Sequence, residues 1–209
     1  MPSTPLRADA RRNRARLLDA AREVFAEAGL DASLEEIARR AGVRVGTLYH
    51  HFGNRTALVD AAIAPRVEAW VERVEEALAH PDPWEGLVEH LTLLAEWQTA
   101  DRGFTEVCVR TLPADSATER AKARGHACYA ELIARAQAAG ALRPDVSPAD
   151  VGLLVWAAVR ATEGVRALAP DAWRRHLGVL LDGLRADRAT PLPGGALDPA
   201  TVRAAMTFP

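Results

Sequence analysis

Residues 42–58, GVRVGTLYHHFGNRTAL, decide the fold of the N-terminal part of the chain. Gly42 supplies the backbone freedom that a sharp turn needs, and residues 45–51 follow it as a short helix. Upstream, Ser33-Leu34-Glu35-Glu36 matches a capping box, in which the serine oxygen accepts from the third helical amide and Glu36 reaches back to the cap. This box predicts a helix over residues 34–41. The two helices therefore flank a turn with the spacing of a helix-turn-helix.

Flanking patterns predict helices on both sides of this motif. Between residues 14 and 28 the apolar residues keep the spacing of one helix face, and Gly29 suits a left-handed stop. Asn54 can cap a fourth helix. Pro65 is expected to kink or break that helix near residues 61–65, because it lacks an amide donor and clashes with the preceding turn. Residues 1–9 contain two prolines and are predicted to form a flexible arm.

Proline and glycine divide the rest of the chain into helices predicted at residues 84–100, 103–112, 116–139, 148–168 and 171–187. Ser147 and Asp150 form a second capping signature, with Pro148 at the first helical position. The sequence thus predicts an all-α fold in three parts. Residues 1–60 form a three-helix helix-turn-helix domain with its N-terminal arm, residues 61–188 form a second helical domain, and residues 189–209 form an extended tail with at most one short helix near 198–206.

Composition narrows the class of protein. With 49% hydrophobic and 26% charged residues, the chain has the balance of a globular protein. It lacks a secretory leader and any run of about 18 apolar residues, so we expect a cytoplasmic protein without a membrane span. Residues 1–55 carry ten arginines against seven acidic residues, whereas the remainder is acidic. A basic end suits attraction to phosphates, but a merely solvated charge distribution fits equally well.

The predicted third helix carries the residue types that read DNA. In a helix-turn-helix this helix lies in the major groove, so its outward residues must supply donors, apolar patches and phosphate contacts. Tyr49 can reach a base or phosphate or can partly pack in the core, and Gly46 lets the backbone approach DNA. The predicted DNA-binding residues are Ser33, Arg44, Val45, Gly46, Thr47, Tyr49, His50, His51 and Arg55.

Residues 14–63 resemble the N-terminal domain of TetR-family transcriptional regulators. The resemblance rests on LLDAA, Phe25, the Ser-x-x-Glu cap, IARRAGV, GTLYHHF and the closing Ala-Leu pair, in family order and spacing. Two departures concern DNA reading. Arg44 and Val45 stand where the family commonly has serine or threonine followed by a basic or polar residue, and Arg55 replaces the usual lysine. We therefore expect this chain to recognise a DNA sequence that differs from those of family members with the usual residues.

The resemblance implies a homodimer that binds a double-stranded DNA operator and whose residues 61–188 bind a small-molecule effector. Apolar stripes on the last two long helices suit a four-helix dimer bundle, although they can also pack within one subunit. These stripes are Val151, Leu154, Val155 and Ala158, then Trp173, Leu177, Leu180, Leu181 and Leu184. The candidate effector-binding residues are Trp97, Phe104, Cys108, His126, Tyr129 and Trp156.

These patterns predict a DNA-binding regulator, usually a repressor in this family, that effector releases from its operator. Pro65 is expected to influence how the effector signal reaches the DNA-binding domain. Control by a protein partner, or a helical enzyme with a DNA-binding head, are the alternatives. No catalytic constellation, metal-ligand spacing or cofactor motif supports an enzyme. Arg110 and Arg160 are expected on solvated faces, and Cys108 with Cys128 lacks the surroundings of a redox switch.

Overall fold

The computed structural model describes residues 5–196 and 201–202, and regular structure in these ranges is helical. Single 3-10 turns follow the last two α-helices, and an isolated bridge joins Leu142 to Arg185. These ranges hold no β-strand, so the predicted all-α fold is confirmed. The α-helices are α1 Pro5–Ala28, α2 Leu34–Ala41, α3 Val45–Phe52, α4 Arg55–Leu78, α5 Pro83–Ala100, α6 Arg102–Val109, α7 Ala117–Ala138, α8 Pro148–Thr162 and α9 Ala172–Leu184.

Two compact units make up the chain. The first unit comprises Met1–Glu68 and Asp101–Ala121, and the second comprises Ala69–Ala100 and Lys122–Pro209. The first unit therefore contains both the helix-turn-helix and α6, although α6 begins at Arg102, far along the chain from Phe52 at the end of α3. The functional division into residues 1–60, 61–188 and 189–209 stays a prediction.

The core of the first unit forms where α1 packs against α2, α3 and α6. Gly103 lets α6 approach α1 closely, since a Cβ there would lie 2.9 Å from the Phe25 carbonyl oxygen. Each large apolar side chain that is fully buried stabilises the fold by roughly 1.5–3 kcal/mol. The fully buried residues of this core include Leu17, Phe25, Leu30, Ile37, Leu48, Leu58 and Phe104.

Helix α1 is longer than predicted. It begins at Pro5, so the expected flexible arm is wrong for residues 5–9, and residues 1–4 lie outside the described residues. Proline is well tolerated in the first turn of a helix, where its missing amide costs nothing. Alanine and arginine, both strong helix formers, then continue the helix, and Arg12 pairs with Asp9 three residues before it.

Helix α4 runs through Pro65, so of the expected kink or break the break is wrong, and the kink stays a prediction. Pro65 has no amide to donate to Ala61, but a side chain from α1 reaches this part of the helix: Arg22 Nε donates to the carbonyl of Ala62 at 3.4 Å. Buried residues on both sides of Pro65, among them Ile63 and Val67, hold the two halves in place. Packing thus outweighs the local cost of the proline.

In the second unit, α8 packs against α5 and α9, and α5 also contacts α9. The predicted capping box at the start of α8 is confirmed: Ser147 Oγ accepts from the amide of Asp150 at 3.2 Å, and Asp150 Oδ2 accepts from the amide of Ser147 at 2.8 Å. The predicted end of α8 at residue 168 is wrong. The helix ends at Thr162, whose hydroxyl donates to the carbonyls of Ala158 and Val159, and one 3-10 turn follows.

Helices α6 and α9 each end three residues before the predicted boundary. α6 stops at Val109 rather than at residue 112, because the next residue, Arg110, has extended backbone angles. α9 stops at Leu184 because the next residue, Arg185, is extended and pairs with Leu142. In the described part of the tail, residues 189–196 form no helix and residues 201–202 are helical. The remainder of the predicted tail helix lies outside the described residues.

Candidate DNA-binding surface

Helix α3 presents one polar, accessible face on a buried apolar base. Leu48 and Phe52 are buried in the core, whereas Gly46, Tyr49 and His50 are exposed. Tyr49 keeps 48% of its surface accessible and therefore does not serve as a core residue. Arg44, Gly46, Tyr49 and His50 are the exposed members of the predicted set, and Val45, Thr47 and His51 are half-buried.

The turn before α3 is built by Gly42. Its φ of 67° and ψ of 36° are left-handed, and the amides of Gly42 and Val43 donate to the carbonyls of Arg39 and Ala38 at 3.1 and 3.0 Å. A residue with a side chain is strained at this φ. The turn therefore depends on glycine, as predicted.

The start of α3 has no side-chain cap. Arg44 occupies the N-cap position with extended backbone angles and makes no capping hydrogen bond. Its carbonyl accepts from the amide of Thr47 at 2.8 Å. Because the Arg44 side chain is exposed and plays no capping role, it can extend from the turn toward a bound molecule.

Ser33 is occupied as the cap of α2. Its Oγ accepts from the amide of Glu36 at 3.3 Å and donates to Glu35 Oε2 at 2.7 Å. The reciprocal half of the predicted box is wrong, since the Glu36 carboxylate accepts from Arg39 and Arg40 instead. These two guanidinium groups lower the pKa of Glu36 to about 2. A DNA contact by Ser33 stays a prediction, and its established role is to cap the helix.

Arg55 holds the loop between α1 and α2. Its guanidinium donates to the carbonyls of Leu30 and Ala32 at 3.0 and 2.7 Å from one nitrogen. A guanidinium group has five N–H donors, so the predicted phosphate contact would use those on the remaining nitrogens. Nearby, Asn54 Oδ1 accepts from the amide of Ala57 at 2.8 Å and caps α4, which confirms its predicted role.

The same loop is tied to α6, an arrangement that sequence reasoning missed. Glu106 Oε2 accepts from the amide of Leu30 at 2.8 Å, and the Arg110 guanidinium forms an ion pair with Asp31. Arg110 also lies 3.7 Å from Glu106, so it is an ion-paired residue rather than a merely solvated one. The side chains of Arg55, Glu106 and Arg110 thus fix the position from which α2 starts.

The candidate effector residues fall in different units. Phe104 is buried and Cys108 half-buried on α6 of the first unit, whereas Trp97, His126, Tyr129 and Trp156 belong to the second. Of these four, His126 and Tyr129 lie among neighbouring rings that also include Trp70 and His90. Sequence reasoning missed these last two residues, although a histidine within the apolar run LVEHLTLL was a visible signal. Arg160 is exposed and pairs with Glu163, as expected for a solvated face.

Most of the predicted dimer stripes are already covered within the single chain. Residues Leu154, Leu180 and Leu181 remain half-buried, and Val179 beside them is 68% exposed. Val151, Val155, Ala158, Trp173, Leu177 and Leu184 are buried, so these six pack inside the subunit. Gly152 and Gly178 leave open space on the same two helices, since a Cβ at either would contact nothing within 4 Å.

Two family models match the chain. Residues 17–62 match the model for bacterial regulatory proteins of the tetR family. Residues 82–186, half of the chain, match the model described as the C-terminal domain of SbtR-like transcriptional regulators. A TetR transcription regulatory protein from Mycobacterium vanbaalenii is 38% identical with a TM-score of 0.52, over 87% of this chain and 99% of that one.

Two further proteins agree with these matches. The TetR transcriptional regulator SCO0520 from Streptomyces coelicolor is 33% identical with a TM-score of 0.54, over 83% of this chain and 98% of that one. The transcriptional repressor KstR2 of Mycolicibacterium smegmatis is 25% identical over 202 residues, which cover 88% of this chain and 95% of KstR2. The fold and the exposed α3 face thus define a helix-turn-helix transcriptional regulator. The chain belongs to the TetR family.

Within the described residues, none of the helices is both long enough and apolar enough to cross a membrane. The same residues contain no group of three or more histidine, cysteine, aspartate or glutamate side chains that would hold a metal ion. Neither Cys108 nor Cys128 forms a disulfide within the described residues.

Proposed function

We propose that the protein is a cytoplasmic transcriptional repressor that binds a specific operator as a homodimer and leaves it when a small molecule binds. The observation that carries this proposal is the α3 surface, which is accessible at Gly46, Tyr49 and His50 while Leu48 and Phe52 anchor the helix in the core. A helix held in this way can enter the major groove without losing its packing. The likeness to the repressor KstR2 supports repression over activation.

Arg44 is the residue we expect to contribute most to sequence discrimination. It lies at the start of the recognition helix, and in this class of protein the N-terminal residues of that helix contact base edges. Its side chain is exposed and has no capping bond to lose. A guanidinium can donate two hydrogen bonds to one guanine, and such a pair contributes roughly 1–3 kcal/mol of discrimination. The operator half-site should therefore contain a guanine whose replacement matters only when Arg44 is present.

Homodimerisation is proposed for the exposed part of α8 and α9. Val179, Leu180 and Leu181 offer apolar surface, and the open glycines Gly152 and Gly178 allow a second pair of helices to approach closely. A two-fold protein places two recognition helices on half-sites about one helical turn, or 34–36 Å, apart. Effector binding would then favour a subunit arrangement that no longer matches this spacing. Pro65 is proposed to influence this coupling.

Fluorescence anisotropy with operator DNA selected from a random pool tests the proposal. Wild-type protein should bind the selected duplex far more tightly than a scrambled duplex at the same salt concentration. Arg44→Ala should lose roughly 5- to 150-fold in affinity and discriminate less at one base pair, as the loss of a bidentate contact requires. Arg11→Ala serves as the matched arginine control outside the recognition helix. Equal loss at every base pair in the Arg44→Ala variant would show a phosphate contact and contradict its role in base reading.

A further inference from the structure

Three helices bring together a group of aromatic side chains that belong to the second unit. Trp70 on α4, His90 on α5 and Tyr129 on α7 are 9%, 2% and 7% exposed. The His90 ring centroid lies 5.5 Å from that of Tyr129 and 6.4 Å from that of Trp70. His126, one turn before Tyr129, lies edge-on to Trp70 at 5.7 Å and is itself exposed. We call Trp70, His90 and Tyr129 the aromatic cluster.

The polar atoms of the aromatic cluster have no protein partner. Neither ring nitrogen of His90, nor the hydroxyl of Tyr129, nor Nε1 of Trp70 has a hydrogen-bond partner among the described protein atoms, although all are buried. An unsatisfied buried polar group costs about 1–3 kcal/mol, so four in one place need an explanation. Apolar replacements of similar shape, such as phenylalanine, would avoid that cost.

The chain also gives up local stability to form the cluster. Gly125 lies in the interior of α7, where glycine costs about 1 kcal/mol relative to alanine. A Cβ at this position would overlap the indole ring of Trp70. Gly125 therefore makes room for the indole.

The polar side chains of the aromatic cluster form hydrogen bonds as uncharged groups. Burial lowers the pKa of His90 to about 4 and raises the pKa of Tyr129, so both are neutral near pH 7. A neutral imidazole has one donor and one acceptor nitrogen, the indole is a donor, and the phenol is both.

This inventory selects among ligands. A carboxylate would leave the acceptor nitrogen of His90 unsatisfied because it can only accept, and an ammonium would leave the donors unsatisfied because it can only donate. A hydroxyl group does both. Aromatic rings around it favour a flat apolar body, which stacks or packs edge-on against them.

We propose that Trp70, His90 and Tyr129 bind a neutral aromatic alcohol of the phenol class, whose hydroxyl exchanges hydrogen bonds with His90 and Tyr129. The regulatory meaning of this site rests on the proposed function, with the bound phenol as the effector. The exposed ring of His126 packs against Trp70, so one residue separates the cluster from solvent there.

Isothermal titration calorimetry on the full chain without DNA tests the site. The probes are phenol and 2-naphthol, with toluene lacking the hydroxyl and benzoate carrying a charge. We expect a phenol to bind at least about tenfold more tightly than toluene or benzoate, the ratio that one satisfied hydrogen bond provides. Equal affinity for toluene, preference for benzoate, or no binding by either phenol would overturn the proposal and leave the cluster as a hydrated part of the core.

Two variants locate the binding. Tyr129→Phe removes one oxygen, and His90→Phe keeps a ring but removes both nitrogens. Each should weaken phenol binding about tenfold or more while leaving toluene binding within about twofold. Cys128→Ser, next to Tyr129 on α7, is the control and should bind phenol like the wild type. Circular dichroism confirms that each variant is folded. Unchanged phenol affinity in both folded phenylalanine variants would refute the assignment.

An anisotropy arm separates this site from the proposed function. Phenol that binds with the expected selectivity but does not release operator DNA supports the site and contradicts its role as the effector site. Operator DNA that is bound specifically by protein with no affinity for phenols supports DNA recognition and overturns the site.

Discussion

Buried His90 should make the fold lose stability in weakly acidic solution. Burial lowers the pKa of its imidazole from 6.5 to about 4. Between these values the unfolded chain holds a proton on this residue and the folded chain does not. The free energy of unfolding therefore falls as the pH falls through this range. With about 1.4 kcal/mol for each pKa unit, the contribution lost relative to about pH 8 is roughly 1.4 kcal/mol at pH 5.5 and roughly 2.5 kcal/mol at pH 4.5.

His90→Phe isolates this contribution from the titration of other groups. Urea unfolding followed by circular dichroism, at one protein concentration and several pH values, gives the free energy of unfolding of wild type and variant. The variant should match or exceed the wild type near neutral pH, because phenylalanine has no unsatisfied nitrogens. Its advantage should grow by roughly 2.5 kcal/mol on going to about pH 4.5.

The exposed His50 supplies the control for loss of a histidine as such, through His50→Gln. This variant should follow the wild-type pH dependence. If the gap between wild type and His90→Phe stays constant with pH, His90 is not held neutral by burial, and the reasoning about the aromatic cluster loses its basis.

Two further predictions concern glycine and capping positions. Gly125→Ala should lower the free energy of unfolding, measured by urea unfolding, by about 1–3 kcal/mol, because its methyl group overlaps Trp70; a Gly125→Ala protein as stable as the wild type would contradict this packing argument. Gly46→Ala has open space around its Cβ, so it should keep or raise the free energy of unfolding and yet weaken operator binding, measured by fluorescence anisotropy. Ser147→Ala should lower the free energy of unfolding by about 1 kcal/mol, because α8 loses its N-cap. An unchanged thermal melting curve would show that Asp150 alone is enough to cap the helix.

Local rules in the sequence were enough to predict the helix-turn-helix. The Ser33 cap, the left-handed Gly42 and the Asn54 cap each depend on residues only a few positions apart, so their chemistry is visible in the sequence. The errors at Pro5 and Pro65 have a common cause. Proline does not end a helix when it lies in the first turn, as Pro5 does, or when packing holds the helix on both sides, as at Pro65.

Features that depend on residues far apart in the sequence could not be predicted from local patterns. The ties from Glu106 to the Leu30 amide and from Arg110 to Asp31 span more than seventy residues, and no periodicity indicates them. The aromatic cluster needs three helices to meet, so His90 is recognisable as unusual only when its neighbours are known. The end of α9 likewise depends on the pairing of Arg185 with Leu142.

Selection of DNA from a random pool, with wild type and Tyr49→Ala in parallel, tests the central claim most directly. Tyr49 is 48% exposed on α3, so its removal should leave the folded protein intact. The wild type should enrich a sequence with two symmetry-related half-sites about one helical turn apart, and Tyr49→Ala should enrich none at the same salt concentration. Enrichment of the same sequence by a folded Tyr49→Ala protein would contradict DNA recognition through the exposed face of α3.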